Sequence, residues 1–414
     1  MPQNQKKTYL ESQARPYQLQ ALDSCRARVR DGIKAQVLML ATGGGKTFIA
    51  SMLAHNVIAK GGRMFFVVDS LELVDQAVAR FVSDGLEVGA IQGQHEMTDY
   101  SKPVQVATIQ TLRSRWERMA EHLKPTVMVI DECHVVHRAH ELIINECKFK
   151  GIPVIGLSAT PFRKGLAKIF DDLVIGATTA DLTELGYLAP ARCFAPYIPD
   201  LKNVRQKSDG DWQEDALAEY MGEAKIVGDV VDHWIKLGED RQTIVFACNV
   251  AHSRMLRDAF KSRGIAAEHV DGYETDKEER RRKIEAFKSG EIKVLCNVAI
   301  LTKGFDAPQT SCLVIARPTK SLMMHIQILG RGLRTAPGKE DCIVIDHAGN
   351  CLRNGLPTEL LPSALDDGKI GANPDRKTRD PKGKTEHPCP KCGFLKLSPK
   401  CSQCGYMFER LEDV

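Results

Sequence analysis

Apolar positions along the chain fall in short, nearly continuous runs separated by longer amphipathic stretches. In the first half the runs are Val37–Leu40, Phe65–Val68, Val104–Ala107, Val127–Ile130 and Val154–Leu157. In the second half they are Thr243–Ala247, Val294–Val298, Ser311–Ala316 and Ile343–Ile345. Runs this short, with so little polar alternation, suit strands covered on both faces, as in a parallel sheet. The stretches between them leave room for helices, so the pattern predicts an α/β chain with two doubly wound parallel sheets in tandem. The rhythm lapses between 196 and 240, where Pro199-Asp200 and Ser208-Asp209-Gly210-Asp211 precede a helical pattern. This places a first domain at 1–195, an inter-domain connection at 196–240 and a second domain at 241–365. Thr275-Asp276-Lys277-Glu278 reads as a capping box that opens a helix running to Phe287. The Arg280-Arg281-Arg282 run on that helix reads as a solvated face. Residues 366–386 are charged and almost free of apolar side chains, the signature of a flexible linker. A small module remains at 387–414.

Composition narrows the class. A chain of 414 residues with 43% hydrophobic content has material for two or three domains with sizeable cores. Its 57 basic and 53 acidic residues leave a net charge of +4, so any site for a polyanion must be a local feature. The opening Met1-Pro2-Gln3-Asn4-Gln5-Lys6-Lys7 is polar and no run reaches membrane-spanning length. A cytoplasmic, monomeric protein with no membrane partner is expected. Nine of the 13 cysteines are scattered, several inside the strand-like runs, and read as reduced core thiols. The other four cluster near the C-terminus.

The most specific chemistry lies in Leu40-Ala41-Thr42-Gly43-Gly44-Gly45-Lys46-Thr47, between an apolar run and a helical stretch, Phe48–Ala54. Strand, glycine turn and helix is the layout of a phosphate-binding loop. Glycines let backbone N–H groups crowd round phosphate oxygens, and the helix start adds partial positive charge. Lys46 would reach the β- and γ-phosphates, and the Thr47 hydroxyl would hold Mg²⁺. One departure shows: the usual pattern carries a glycine where this chain has Leu40. A second apolar run, Val127–Ile130, delivers Asp131 and Glu132 at its end. One acid can hold Mg²⁺ and the other water; Asp131 is assigned to the metal and Glu132 to the attacking water.

With Asp131-Glu132-Cys133-His134 following this loop, the chain resembles the superfamily 2 helicases, and the remaining motifs come in that family's order. Arg15-Pro16-Tyr17-Gln18 resembles the upstream motif whose glutamine reads the adenine edge, which implies nucleotide contacts from Arg15 and Gln18. Ser158-Ala159-Thr160-Pro161 resembles the segment that couples nucleotide state to nucleic acid. Gly304-Phe305-Asp306-Ala307-Pro308 resembles the fifth motif, which implies ribose or linking roles for Gly304 and Asp306. Gln327-Ile328-Leu329-Gly330-Arg331-Gly332-Leu333-Arg334 resembles the sixth, source of arginine fingers. If that motif starts a helix, Gln327, Arg331 and Arg334 share one face, at i, i+4 and i+7. The resemblance spans roughly residues 14–350 and looks nearest to RadD-like bacterial DNA-repair ATPases and related phage helicases. Leu301–Pro308 and the run from Ala336-Pro337-Gly338-Lys339 to Asn350 carry that likeness.

The family likeness also implies a strand of DNA, single-stranded or branched, across the loops after the strands. Ser70, Thr108, Gln110 and Thr111 occupy backbone-contact positions in the first domain, with Asn249 and Thr302 candidates in the second. Short hydroxyl and amide groups suit phosphate and sugar contacts, though each alone is also a helix cap. Aromatic content of 6% argues against a long stacking platform. No segment declares itself as a strand-separating wedge. Near the C-terminus, Cys389-Pro390-Lys391-Cys392 and Cys401-Ser402-Gln403-Cys404 present two Cys-x-x-Cys turns, the ligand set of a structural Zn²⁺ ribbon. His387 is a spare candidate ligand. Lys391, Lys396 and Lys400 ring the ribbon and leave DNA contact and docking to repair or replication proteins equally open. The resulting expectation is an ATP- and Mg²⁺-dependent DNA helicase or translocase. The alternatives are an ATP-gated DNA-binding or remodelling protein, the motor of a restriction system, and an RNA helicase.

Overall fold

A computed structural model describes residues 9–93, 95–207, 211–272, 276–298, 307–359, 364–368, 388–395 and 400–407. Contacts divide the chain into two units: Met1–Thr178 with Leu360–Thr378, and Thr179–Glu359 with Arg379–Val414.

The first unit is built on seven parallel strands: β1 (Ala35–Leu40), β2 (Met64–Val68), β3 (Val88–Ile91), β4 (Val104–Thr108), β5 (Val127–Ile130), β6 (Val154–Ser158) and β7 (Asp172–Ala177). They lie in the order β3-β4-β2-β5-β6-β1-β7. Every residue of β1, β2, β4 and β6 is buried, as two-sided helix cover requires. One face packs Phe65, Trp116, Ile143, Ile144 and Phe170 into a single core. All pairings are parallel, so the loops after β1, β2, β4, β5 and β6 emerge at one edge of the sheet.

The second unit carries six strands: β8 (Ala191–Phe194), β9 (Thr243–Phe246), β10 (Ala267–Val270), β11 (Val294–Asn297), β12 (Cys312–Ile315) and β13 (Cys342–Asp346). Their order is β10-β11-β9-β12-β13-β8, again with parallel pairings. Two α/β units with parallel sheets therefore match the expected fold class.

Three boundaries differ from the sequence expectation. The first domain ends before 195, because β8 pairs with β13 in the second sheet, Ala191 opposite Cys342. The stretch 196–240 is no simple connection. Its helix Ala224–Leu237 sends Val227, Val230, Val231 and Trp234 into the core of the second sheet, and Trp234 Nε1 donates to Thr243 Oγ1 at 2.7 Å. Upstream of that helix, Leu201, Trp212, Leu217 and Met221 form a smaller core with Ile226 and Cys248. Finally, the linker begins in contact with the first unit. Asp366 accepts from Gly165 N through its carboxylate at 3.0 Å and from Ala167 N through its carbonyl at 2.9 Å.

The C-terminal module also packs on its unit. Ala195 N donates to Gly393 O (2.7 Å) and Leu395 N to Cys193 O (2.9 Å), which extends β8 by a short ladder. The Phe194 and Phe394 rings lie 5.3 Å apart. Cys389, Phe394 and Cys401 share one core with Val227, Trp234 and Val245. An open strand edge is a template for unwanted pairing, and here the module covers it. Elsewhere, the helix Lys277–Ser289 is capped by Asp276, which accepts from Glu278 N and Glu279 N, both at 3.0 Å. Thr275, the expected start of the capping box, lies outside the described residues. Arg281 and Arg282 are exposed, in keeping with a solvated face.

Candidate active site

The glycine loop leaves β1 at its carboxyl end and closes on itself through Gly44 N to Ala41 O at 2.9 Å. Gly43 and Gly45 adopt left-handed backbone, with φ of 84° and 87°, where a side chain would be strained. A Cβ on Gly44 would sit 2.8 Å from Leu40 Cγ and 3.0 Å from Ala41 O. Leu40, the departure from the usual pattern, thus fills the space beside Gly44. Gly45 caps the helix Lys46–Ile58, which carries Lys46 and Thr47 in its first turn, and Thr42 stands half-buried in the turn before it.

A second element holds the loop from behind. On the helix Pro16–Arg30, Tyr17 OH and Gln18 Nε2 both donate to Gly44 O, at 2.8 and 3.0 Å. Gln18 Oε1 accepts from Arg15 N at 3.0 Å, which fixes the amide's orientation. Tyr17 is the residue without an assigned role; its signal in the sequence was only its place between Pro16 and Gln18.

The acids arrive from β5. Asp131 N is tied to Val67 O of β2, and Asp131 Oδ1 accepts from Glu132 N at 3.0 Å. Glu132 has φ 44°, left-handed backbone for a residue with a Cβ, a strain of about 1–3 kcal/mol. That bend aims its carboxylate at the loop, where Glu132 Oε1 meets Lys46 Nζ at 2.8 Å. Glu132 Oε2 lies 3.3 Å from His134 Nδ1, and His134 Nδ1 is 2.9 Å from Ser158 Oγ at the end of β6. Ser158 Oγ in turn accepts from Thr160 N at 2.9 Å. Lys46, Glu132, His134, Ser158 and Thr160 thus form one polar chain across the edge, with Ala159 buried beside it. Thr160 Oγ1 is buried with no hydrogen-bond partner among the described residues.

Electrostatics follow from this arrangement. Burial works against the Lys46 charge, yet Glu132 and Asp131 outweigh it and hold the ammonium above its ordinary value. Burial, reinforced by the Glu132 charge, pushes the Asp131 carboxyl up to about 6. A site with a lysine over a glycine turn and two acids beside it can hold a polyphosphate and a divalent cation.

In the second unit the helix Leu322–Gly332 carries Gln327 in its middle and Arg331, largely buried, in its last turn. The sixth motif therefore ends this helix; it does not start one. Arg334 falls beyond the helix, in a bridge with Leu188, so the shared face expected for all three residues stops at Arg331. Two contacts divert the chain there: Ala189 N donates to Leu333 O at 2.7 Å, and a Cβ on Gly332 would collide with Leu313. The helix start is fixed by Ser321 Oγ, which accepts from Met324 N. Thr319 Oγ1 accepts from Ser321 N at 3.0 Å and donates to Asp211 Oδ2 at 2.7 Å. Sequence reading placed Asp211 only in a turn cluster. Thr302, Gly304 and Asp306 lie outside the described residues.

The strand-contact candidates divide by what their side chains do. Ser70, after β2, and Gln110, after β4, are exposed, and Ser70 Oγ makes no capping bond. Thr108 is buried and caps its helix by accepting from Thr111 N, while donating to Thr111 Oγ1 at 3.0 Å. Asn249, after β9, caps its helix through His252 N at 2.9 Å.

At the C-terminus the sulfurs of Cys389, Cys392, Cys401 and Cys404 all lie within 4.8 Å of one another. The Cys389–Cys404 and Cys392–Cys401 sulfur distances are both 3.6 Å, too long for disulfides. A tetrahedron with Zn–S of about 2.3 Å has sulfurs about 3.8 Å apart, so the four fit a zinc ion.

Comparison with known proteins agrees with this layout. Residues 11–163 match the family model for the type III restriction enzyme res subunit, and residues 225–336 match the helicase conserved C-terminal domain. The 51.5 kDa protein of a Lactococcus phage is 30% identical over 372 residues, covering 88% of this chain and 76% of the relative. IRC3 of Saccharomyces cerevisiae, named as a candidate ATP-dependent helicase, is 30% identical and 83% of this chain is covered. The chain spans 52% of that yeast protein's length. Among solved structures, a fragment of a candidate HsdR subunit of a type I restriction enzyme from Vibrio vulnificus superposes with a TM-score of 0.65. It shares 22% identity and covers 86% of this chain and 67% of its own, a likeness of fold. The chain belongs to the superfamily 2 helicases, a family of ATP hydrolases.

The raised Asp131 pKa yields a prediction. Its carboxylate form is penalised in the folded state, so the penalty is complete above about pH 6 and fades as pH falls toward the unfolded value near 4. Asp131→Asn keeps the acceptor for Glu132 N and removes the charge. Without nucleotide it should unfold at higher urea than wild type at pH 8, with the gain shrinking below pH 6 and gone near pH 4. A gain that is constant with pH contradicts the assignment.

Proposed function

We propose that the chain is an ATP-driven DNA helicase or translocase. The observation that carries this reading is the 2.8 Å Lys46–Glu132 pair held over the glycine turn. An arriving γ-phosphate offers Lys46 an anion in place of the carboxylate, and Glu132 is then free to orient the attacking water. Gly43, Gly44 and Gly45 present backbone N–H groups to the phosphates, and Gln18, with Arg15 beside it, meets the base. Thr47 and Asp131 would hold Mg²⁺, which when bound screens the phosphate charge. Arg331 supplies positive charge as the bond to the γ-phosphate breaks, a role worth about 10³–10⁵ in turnover in related enzymes. Arg334 and Gln327 support it. The fifth-motif residues Gly304 and Asp306 complete the nucleotide set.

The same edge suits a nucleic-acid strand. Ser70 and Gln110 offer exposed polar groups for backbone contact; Thr302 is a further candidate in the second unit. Thr108 and Thr111 contribute by shaping a helix start at this edge, and Asn249 caps a helix start in the second unit. The chain Glu132–His134–Ser158–Thr160 gives a physical route between phosphate and strand, with the unpartnered Thr160 hydroxyl ready to gain a bond when the edge rearranges. DNA is favoured because the relatives include a protein titled ATP-dependent DNA helicase. The likeness to restriction subunits supports a second reading, a motor that serves a separate nuclease.

ATP hydrolysis with single-stranded DNA, with RNA and with neither tests the reading. DNA should stimulate turnover more than RNA, and Lys46→Ala should reduce turnover to background. Preferential stimulation by RNA, or near-normal activity in Lys46→Ala, contradicts it.

We further propose that Cys389, Cys392, Cys401 and Cys404 bind one structural zinc. Metal analysis should find about one zinc per chain, lost on Cys389→Ser. Because the module shares the second unit's core, that variant should also unfold the second unit at lower urea. A zinc-free chain of unchanged stability contradicts the proposal.

A further inference from the structure

The turn Ala336-Pro337-Gly338-Lys339 follows the arginine motif. Lys339 N closes it onto Ala336 O at 3.1 Å, and Gly338 has φ 76°. Proline second and a positive-φ glycine third make this a type II turn. It points Lys339 inward. The ammonium donates to three backbone carbonyls: Gly332 O at 2.6 Å, Thr310 O at 2.5 Å and Pro308 O at 3.1 Å. Three N–H donors meet three acceptors, so the group is saturated. Among the described residues it forms no ion pair.

Those carbonyls belong to functionally distinct segments. Gly332 ends the helix that carries Arg331, where the last carbonyls have no partner inside the helix and favour a cation. Pro308 closes the fifth motif and Thr310 lies two residues beyond it. The helix end has little room to shift, because a Cβ on Gly332 would already collide with Leu313 and Cys342.

We propose that Lys339 is a positioning residue for ATP hydrolysis, whose ammonium locks the end of the arginine helix to the Pro308–Thr310 turn and thereby fixes Arg331. The proposal rests on Arg331 acting at the phosphate. Burial pushes the ammonium down to about 8; Arg241 and Arg334 press the same way, while Cys342 and Asp341 oppose them. A neutral amine keeps two N–H donors and turns a lone pair toward the third carbonyl. The lock therefore loosens as pH rises through about 8. An arginine stays charged throughout this range.

The test is steady-state ATP hydrolysis by the full chain, from about pH 6.5 to 9.5, for wild type, Lys339→Arg and Lys339→Met. Lys339→Met should lower kcat about tenfold or more with KM for ATP within about twofold. Wild type should lose kcat around pH 8, and Lys339→Arg should lack that alkaline loss. Arg331→Ala combined with Lys339→Met should be no slower than Arg331→Ala alone. Persistence of the alkaline loss in Lys339→Arg overturns the proposal, and this arm survives even if Lys339→Met folds poorly. Losses that multiply in the double variant also overturn it. Wild-type turnover in Arg331→Ala would instead remove the role of Arg331 at the phosphate, on which this proposal rests, whereas the Lys339→Arg profile reads the charge at position 339 itself.

Discussion

A lysine and a glutamate meeting at 2.8 Å over the edge of a parallel sheet is the interaction on which the first unit's chemistry depends. Lys46 follows β1 and Glu132 follows β5, and β6 runs between those two strands. Only parallel pairing puts all three loop sets at one edge. The two side chains are mostly buried, 14% and 25% exposed, so separating them without a replacement would strand a charge in a poor solvent. A phosphate is such a replacement. The pair therefore stores the site in a form that a phosphate anion can open, and the strained Glu132 backbone is consistent with a residue held ready for another contact.

The second unit fixes its arginine helix at both ends. At the start, Asp211 reaches Thr319, Thr319 reaches Ser321, and Ser321 caps the helix. At the end, Lys339 gathers Gly332 with Pro308 and Thr310. Neither anchor is an ordinary surface ion pair: Asp211 and Thr319 side chains accept from Lys320 N and Ser321 N, and the Lys339 side chain donates to three carbonyls. The C-terminal module and β8 together finish the sheet on the β13 side, so the packing of that module bears on the core of the whole unit.

Much of this was legible in the chain, and the gaps have a common cause. All nine apolar runs became strands, because interior strands of a parallel sheet must be apolar on both faces. The four strands the pattern missed, β3, β7, β8 and β10, are the outer strands of the two sheets. In β8 and β10 the polar residues Arg192, Glu268 and His269 interrupt the apolar run and erase its signal, each held by polar partners such as Asp341, Lys261 or Asp271. The same blindness hid the second unit's true beginning, since β8 is one of those strands. Glycine turn, acid pair and cysteine spacing are local motifs and could be read directly. The Asp211 and Lys339 anchors could not, because their partners are backbone carbonyls and hydroxyls that carry no sequence signature. Nor could a helix end be told from a helix start around Gln327, where Gly332 serves close packing against Leu313 and Cys342.

The exchange of carboxylate for phosphate at Lys46 is tested most directly by Glu132→Gln, measuring ATP affinity and single-turnover hydrolysis together. Removing the carboxylate charge frees Lys46 from its resident partner and leaves no group to activate water. The account predicts ATP binding at least as tight as in wild type, with hydrolysis abolished. Loss of ATP binding, or hydrolysis at the wild-type rate, would contradict it.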